Sequence, residues 1–240
     1  MSNTLKIDTV IGFLQQIDNH RSAMMFRGQS NSEWSLVPSL ARLDHKKFPV
    51  KFNDGWKGTE NHLLSEFKKF ASTHFKVEPK NKLEWLIQAQ HHGLPTRLLD
   101  WSTNPLKALY FAVENFRHDN ADGKVFIYTP KMWSTSSDNI TDIDKSNNIV
   151  AFFPVALNDR VLAQEGCFTL FPQQESFDPI KPIEEGFSTN DAIGMFSIEI
   201  SKEAKSTLRK QLVRLGISDM SLFPNLDGIS KKISRDFGAL

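Results

Sequence analysis

Three stretches of this 240-residue chain carry polar side chains where a core would not need them. The first is MFRGQ, Met25 to Gln29, in which Arg27 closes an apolar run and Gly28 follows. A guanidinium there can grip a phosphate or carboxylate with two parallel N–H donors, or it can serve as the partner of a buried carboxylate. Gly28, lacking a Cβ, admits the close approach of a ligand or of another backbone. The second stretch, QHHGLPTRLLDWSTNPLKALYFAVE from Gln90 to Glu114, gathers His91, Thr96, Arg97, Asp100 and Ser102. In an extended PTRLLDW segment, Asp100 and Ser102 share one face and Arg97 points to the other. Ser102 or Thr103 can cap the helix that Pro105 begins, and capping alone would account for the STNP sequence. The third stretch, RVLAQEGCFTLFP, sets Gln164 and Glu165 at a strand entry. That pair either reaches into a cleft or forms a tight turn for which Gly166 supplies the positive φ.

Other polar residues carry less. Adjacent side chains such as His91 and His92 seldom hold one ion together, and no carboxylate stands at metal-ligand spacing, so no metal is expected. STSSD, Ser134 to Asp138, reads as turn chemistry. Trp34, Trp56 and Trp85 suit a core or a helix packing face better than a platform for stacked bases.

The elements that would position these residues can be read from periodicity and caps. Helices are expected at Asp8 to Ile17, Lys57 to Phe75, Leu83 to His91 and Leu106 to Phe116, each with apolar residues at helical spacing. Strands are expected at SAMMFRG, PTRLLDW, GKVFIYTP, NIVAFFPV, CFTLFP and GMFSIEI, with SEWSLVPSL as a further extended piece. NDRVLAQEG reads as a short helix or turn, Lys131 to Asn148 as a loop, and two closing helices fall at Lys202 to Leu215 and Leu226 to Phe237. Helices bracketing a mixed or antiparallel sheet make the class α+β. The whole of residues 1–240 reads as one domain, with a helical N-terminal portion and a helical C-terminal extension.

Composition bounds the function. Hydrophobic residues make up 40% and charged residues 24%, ordinary values for a globular chain. A net charge of +1 gives the molecule no global commitment to nucleic acid. Charge is nevertheless uneven: ten basic residues against five acidic between Ala41 and Lys82, and two against seven between Arg160 and Ile200. The lone Cys167 excludes an intrachain disulfide and a multi-cysteine metal site. The start MSNTLKID lacks a signal-peptide pattern, and the longest apolar run, IVAFFPVAL, is far too short for a membrane span. A cytoplasmic location with no membrane partner is therefore expected.

Taken together, MFRGQS, QHHGLPTRLLDWSTNPLKALYFA, AQEGCFTLFP and LFPNLDG resemble the FRG domain family of bacteria and phages, over roughly Ala23 to Gly228. More distantly, FRG, DWSTNPLKALYFA and AQEGCF resemble, in order, the three motifs of mono-ADP-ribosyltransferases. These are an aromatic-Arg-Gly strand, a Ser-Thr-Ser-like strand entering a helix, and a catalytic Glu near a strand start. Gly166 stands where the catalytic Glu of a Gln-x-Glu pair would be if Gln164 is its Gln. The resemblance implies an ADP-ribosyltransferase-like cleft that takes NAD as substrate and cleaves the nicotinamide–ribose bond, in a toxin or phage-defence effector. Arg27 would hold phosphate or ribose, with Gly28 and Gln29 beside it. Ser102 would support the strand near nicotinamide, and Gln164 or Glu165 would serve catalysis. His91, Thr96, Arg97 and Asp100 would form the second wall or the acceptor side, the acceptor being a protein, a nucleic acid or water. Two rivals stand beside this reading. One is a non-catalytic module binding a nucleotide or nucleic acid in the same cleft, with the basic Ala41 to Lys82 segment along phosphates. The other is a metal-independent hydrolase or nuclease with His91 or His92 as base.

Overall fold

The computed structural model describes residues 6–20, 22–75, 77–131, 133–134, 143–145, 147–155, 158–185 and 192–238. Strands β1 (Lys6–Ile7), β2 (Met25–Gln29), β3 (Leu98–Ser102), β4 (Gly123–Pro130), β5 (Trp133–Ser134), β6 (Val150–Phe152), β7 (Gly166–Leu170) and β8 (Ala192–Ile200) form one sheet. Their order is β1-β8-β4-β2-β3-β7-β6-β5. The short edge pairs β1–β8 and β5–β6 are parallel and the other pairs antiparallel, so the sheet is mixed. The helices are α1 (Val10–Asp18), α2 (Gly55–Ala71), α3 (Lys82–His91), α4 (Pro105–Val113), α5 (Asp159–Ala163), α6 (Lys205–Arg214), α7 (Asp219–Leu222) and α8 (Leu226–Asp236). The α+β class holds.

Alternation along the strands sorts the side chains into three cores. On one face, Phe26, Val125, Ile127 and Ile198 pack beneath α1, α4 and α6 through Phe13, Leu109 and Leu208. On the same face, Leu98, Phe168, Leu170 and Phe152 pack beneath α2 and α3 through Leu64, Leu83, Leu86 and Ile87. The opposite face buries Met25, Leu99, Trp101, Phe126 and Tyr128 under irregular segments carrying Leu36 and Ile183. A fully buried side chain such as Phe13, 0% exposed, contributes about 2 kcal/mol. The two helical groups leave a seam between them, above β3.

The sheet itself is split at that seam. β4 pairs with β2 along all five residues of β2, and β7 pairs with all five residues of β3. Between β2 and β3, however, a single register pair remains, Phe26 with Ser102. Beyond it the strands diverge.

Some elements differ from those read in the sequence. SEWSLVPSL forms no strand but an irregular segment ending in the 3₁₀ turn Ser39–Arg42, because Pro38 has no N–H to give a ladder. α4 stops at Val113 rather than Phe116, which lies in its own 3₁₀ turn capped by Asn115. Its N-cap is Asn104, whose side chain accepts from the N–H groups of Leu106 and Lys107. Ser102 and Thr103 are engaged elsewhere. Trp133–Ser134 pairs with β6 inside the expected loop. Residues 135–138 of STSSD lie outside the described residues. β1 and α7 have no periodic signal, being two and four residues long.

Gly28 resolves one open choice: the close approach it permits is that of a backbone. A Cβ on Gly28 would lie 1.8 Å from the Ala108 carbonyl oxygen and 2.7 Å from the Ala112 nitrogen. One on Gly123 would lie 2.7 Å from the Ala112 carbonyl oxygen. Two glycines on neighbouring strands thus meet two alanines one turn apart on α4, which therefore sits directly on the sheet. Gly28→Ala is expected to destabilise the fold by roughly 3 kcal/mol, the upper end of overpacking costs, as read by urea unfolding. An unchanged midpoint would mean that α4 can lift from β2 freely.

Candidate functional site

The split opens into a cleft of about 310 Å³, lined on the β2 side by Arg27, Gln29 and Ser30 and on the β3 side by Asp100, Trp101 and Ser102. Trp34 and Arg42 come from the irregular segment after β2; Phe111, Glu114, Asn115 and His118 come from α4 and the turn beyond it. Arg160 and Gln164 come from α5 and its end. A smaller cavity of about 60 Å³ continues past Asp100 and Gln164 to His91. Another, of about 190 Å³, continues past Arg27, Arg42 and Asp100 to Gln90.

Arg27 bridges the split. Its Nη1 donates to the Asp100 carbonyl oxygen at 2.6 Å. That carbonyl faces the gap where β2 no longer runs alongside, so the guanidinium replaces the missing ladder donor. The Arg27 Nε is buried without a hydrogen-bond partner. Burial pulls the Arg27 pKa below its ordinary value, the Asp100 charge pushes it back up, and Arg42 lowers it further. A cation held with donor capacity to spare, beside a second cation, is suited to an anionic ligand.

At one end of the cleft the Ser30 hydroxyl lies 2.7 Å from the His118 Nδ1. Lys205, 0% exposed, donates to the carbonyl oxygens of Ser30 (2.7 Å) and His118 (2.6 Å), tying these two segments together. Burial lowers its pKa. The Trp34 ring, 44% exposed, stands edge-on to His118 at 4.9 Å, which makes it a cleft wall rather than the core or helix-face residue expected. Trp56 and Trp85 are buried as expected. Gln29 is 4% exposed and donates weakly to the Ser35 carbonyl, at 3.4 Å.

At the other end, Ser102 is a fastener. Its hydroxyl donates to the Gln164 carbonyl at 2.7 Å and accepts from the Asn104 N–H at 3.0 Å, linking the α5–β7 turn to the start of α4. The positive φ of that turn falls on Glu165 (47°), not on Gly166. This conformation turns the Glu165 carboxylate away from the cleft, 2.8 Å from Lys107 and 3.1 Å from the Asn104 amide nitrogen. The Lys107 hydrogen bond, above all, holds its pKa below the usual carboxylate range. Gln164 lines the cleft and donates to the Leu222 carbonyl at 3.2 Å.

Of the residues singled out from sequence, Arg27, Gly28, Gln29, Asp100, Ser102 and Gln164 line the cleft, and His91 lines its smaller extension. Glu165 lines neither. Thr96 and Arg97 lie outside the cleft as well. Arg97, 1% exposed, pairs with Glu60 at 3.1 Å and Asp144 at 2.9 Å and donates to the Ile143 and Phe171 carbonyls. Thr96 donates to Gln90 and accepts from the Leu98 N–H, closing the turn before β3. Ser30, Arg42, Glu114, His118 and Arg160 are not singled out by the sequence, and Trp34 reads there as a core or packing residue, since turns, helix ends and a short helix carry no periodic signal. Within the basic segment, Lys47, Lys57, Lys69 and Lys82 are paired with Asp44, Glu175, Glu66 and Asp144. From it, Arg42 alone lines the cleft.

Among the described residues, no group of three or more His, Cys, Asp or Glu is arranged to hold a metal, and no helix is long and apolar enough to cross a membrane. The fold thus defines an α+β protein with a mixed eight-stranded sheet among the described residues and a cleft where that sheet splits. Residues 22–121 match the family model of the FRG domain, from the entry to β2 through α4 and the turn before β4. The match supports the FRG assignment and includes the Arg27 and Asp100–Ser102 motifs, but ends before Gln164. No curated protein and no solved structure matches the chain. None of these comparisons speaks for the transferase resemblance.

Two outcomes follow. Glu60→Ala leaves the Arg97 charge buried and short of its partner, and is expected to cost about 3–5 kcal/mol in urea unfolding. A loss below about 1 kcal/mol would deny Arg97 its structural role. Burial, with help from Arg160, lowers the His91 pKa below 6.5. The unfolded chain then takes up the proton first, so stability falls as pH drops below 6.5 towards the folded value. His91→Gln should flatten that part of a pH–stability curve, and an unaltered curve would contradict the assignment.

Proposed function

We propose that the cleft binds NAD as an ADP-ribosyltransferase-like site, with Arg27 and Arg42 on the pyrophosphate and the rings of the ligand against Trp34 and Phe111. The observation that carries this reading is the convergence of the three motifs. Arg27 on β2, Ser102 on β3 and Gln164, in the turn before β7, come from three neighbouring strands or their entries and line one cleft, while Glu165 of the third motif does not. Cleaving the nicotinamide–ribose bond passes through an oxocarbenium-like state, which calls for a fixed ribose and negative charge close to it. Acceptor or water would enter from the His91 side. Draining or transferring ADP-ribose in this way is the activity of a toxin or phage-defence effector.

A second reading, nucleotide binding without cleavage, is favoured by the pairing of Glu165 with Lys107. Calorimetric titration with NAD, run beside an assay of released nicotinamide, separates the two. Arg27→Ala removes charge-assisted phosphate contacts worth about 1.5–3 kcal/mol and should weaken NAD binding roughly 10- to 100-fold. Unchanged affinity in that variant would remove Arg27 from the site. Saturable binding with no release selects the non-catalytic module. A steep salt dependence with single-stranded nucleic acid, and no NAD binding, would replace the nucleotide by a polymer.

A further inference from the structure

We infer that Asp100, and not Glu165, is the carboxylate that serves the ribose in this cleft, an assignment that rests on the NAD reading above. Three carboxylates lie in or near the site. Glu165 is bound to Lys107 and Asn104 and does not line the cavity. Glu114 lines it, but its carboxylate lies 3.5 Å from the Arg235 guanidinium, which also donates to its carbonyl. Asp100 lines the main cleft and both extensions, and is exposed there although its β3 neighbours Leu99 and Trp101 are buried. Among the described residues nothing forms an ion pair or hydrogen bond with its carboxylate, while its carbonyl holds Arg27.

The placement has a structural reason. Asp100 and Ser102 project from the same face of β3, into the seam between the two helical groups. The core cannot close over that position, because β2 has already parted from β3. A carboxylate in the seam stays exposed, in the cleft that Arg27 also lines. Its field favours the charged forms of Arg27 and His91.

The step balances with water as co-reactant. The C1′–N bond breaks and its electron pair leaves with nicotinamide, which departs neutral. Positive charge develops over C1′ and the ring oxygen, facing the Asp100 carboxylate. Water forms the new C1′–O bond and gives its proton to Asp100, which returns it to solvent. An acceptor hydroxyl would follow the same course.

The test compares Asp100→Asn with Glu165→Gln, each assayed for NAD affinity by calorimetry and for nicotinamide release. Asp100→Asn is nearly isosteric at an exposed position, and its thermal midpoint verifies the fold. The expected result is a loss of release of about 100-fold or more in Asp100→Asn with affinity changed only a few-fold. Glu165→Gln should stay within a few-fold of the parent. Release at the parent rate in Asp100→Asn, or loss of release in Glu165→Gln, overturns the assignment and leaves the NAD site standing. Binding without release in the parent protein overturns it too, while sparing the binding reading. Absence of NAD binding overturns both.

Discussion

The hydrogen bond from Arg27 to the Asp100 carbonyl oxygen is the interaction around which the molecule is arranged. A sheet that splits leaves backbone groups facing a gap, without the ladder partners they would otherwise have. Here a side chain supplies the donor. The strands can then separate far enough to make a cavity without losing the continuity that Phe26 and Ser102 provide. The same residue that repairs the split lines the cleft, so the integrity of the sheet and the shape of the cleft are coupled.

The walls are held by equally local means. α4 lies directly on β2 and β4 because Gly28 and Gly123 oppose Ala108 and Ala112, and any larger side chain at the glycines would push it outward. Ser102, through its two hydrogen bonds, ties the start of α4 to the α5–β7 turn. Lys205 does the same at the far end, at the cost of burying an ammonium group satisfied by carbonyls. Few of these groups would touch a ligand. They fix the positions of the groups that would.

Arg27 and Arg97 show how one residue type divides its work. Both follow apolar or turn residues and precede a strand position, and both look equally chemical in the sequence. Arg97 meets Glu60 and Asp144 in the interior and has its charge compensated there. Arg27 meets one carbonyl and a cavity. The difference lies in what the rest of the chain brings to each. Glu60 arrives from α2 and Asp144 from the segment before β6, both distant in sequence.

Local signals determined a good deal. Helices α1, α3 and α8 follow their caps and apolar spacing to within a few residues, and β4 follows its alternation end to end, because these depend on contacts within a few residues. The polar stretch at Asp100 to Ser102 and the Arg27 motif were also legible as cleft residues, since side chains of that kind are costly in a core. Tertiary structure decided the rest. Glu165 turns to Lys107 because its backbone adopts a positive φ, which a neighbouring glycine had suggested for the wrong residue. Arg97 is structural because of partners recruited from afar. Trp34, His118 and Arg160 reach the cleft from turns and a five-residue helix, whose paths are set by what they pack against and leave no period in the sequence. Above all, the cleft exists because β2 and β3 part after one pair of residues, and strand pairing is a long-range choice that no local stretch encodes.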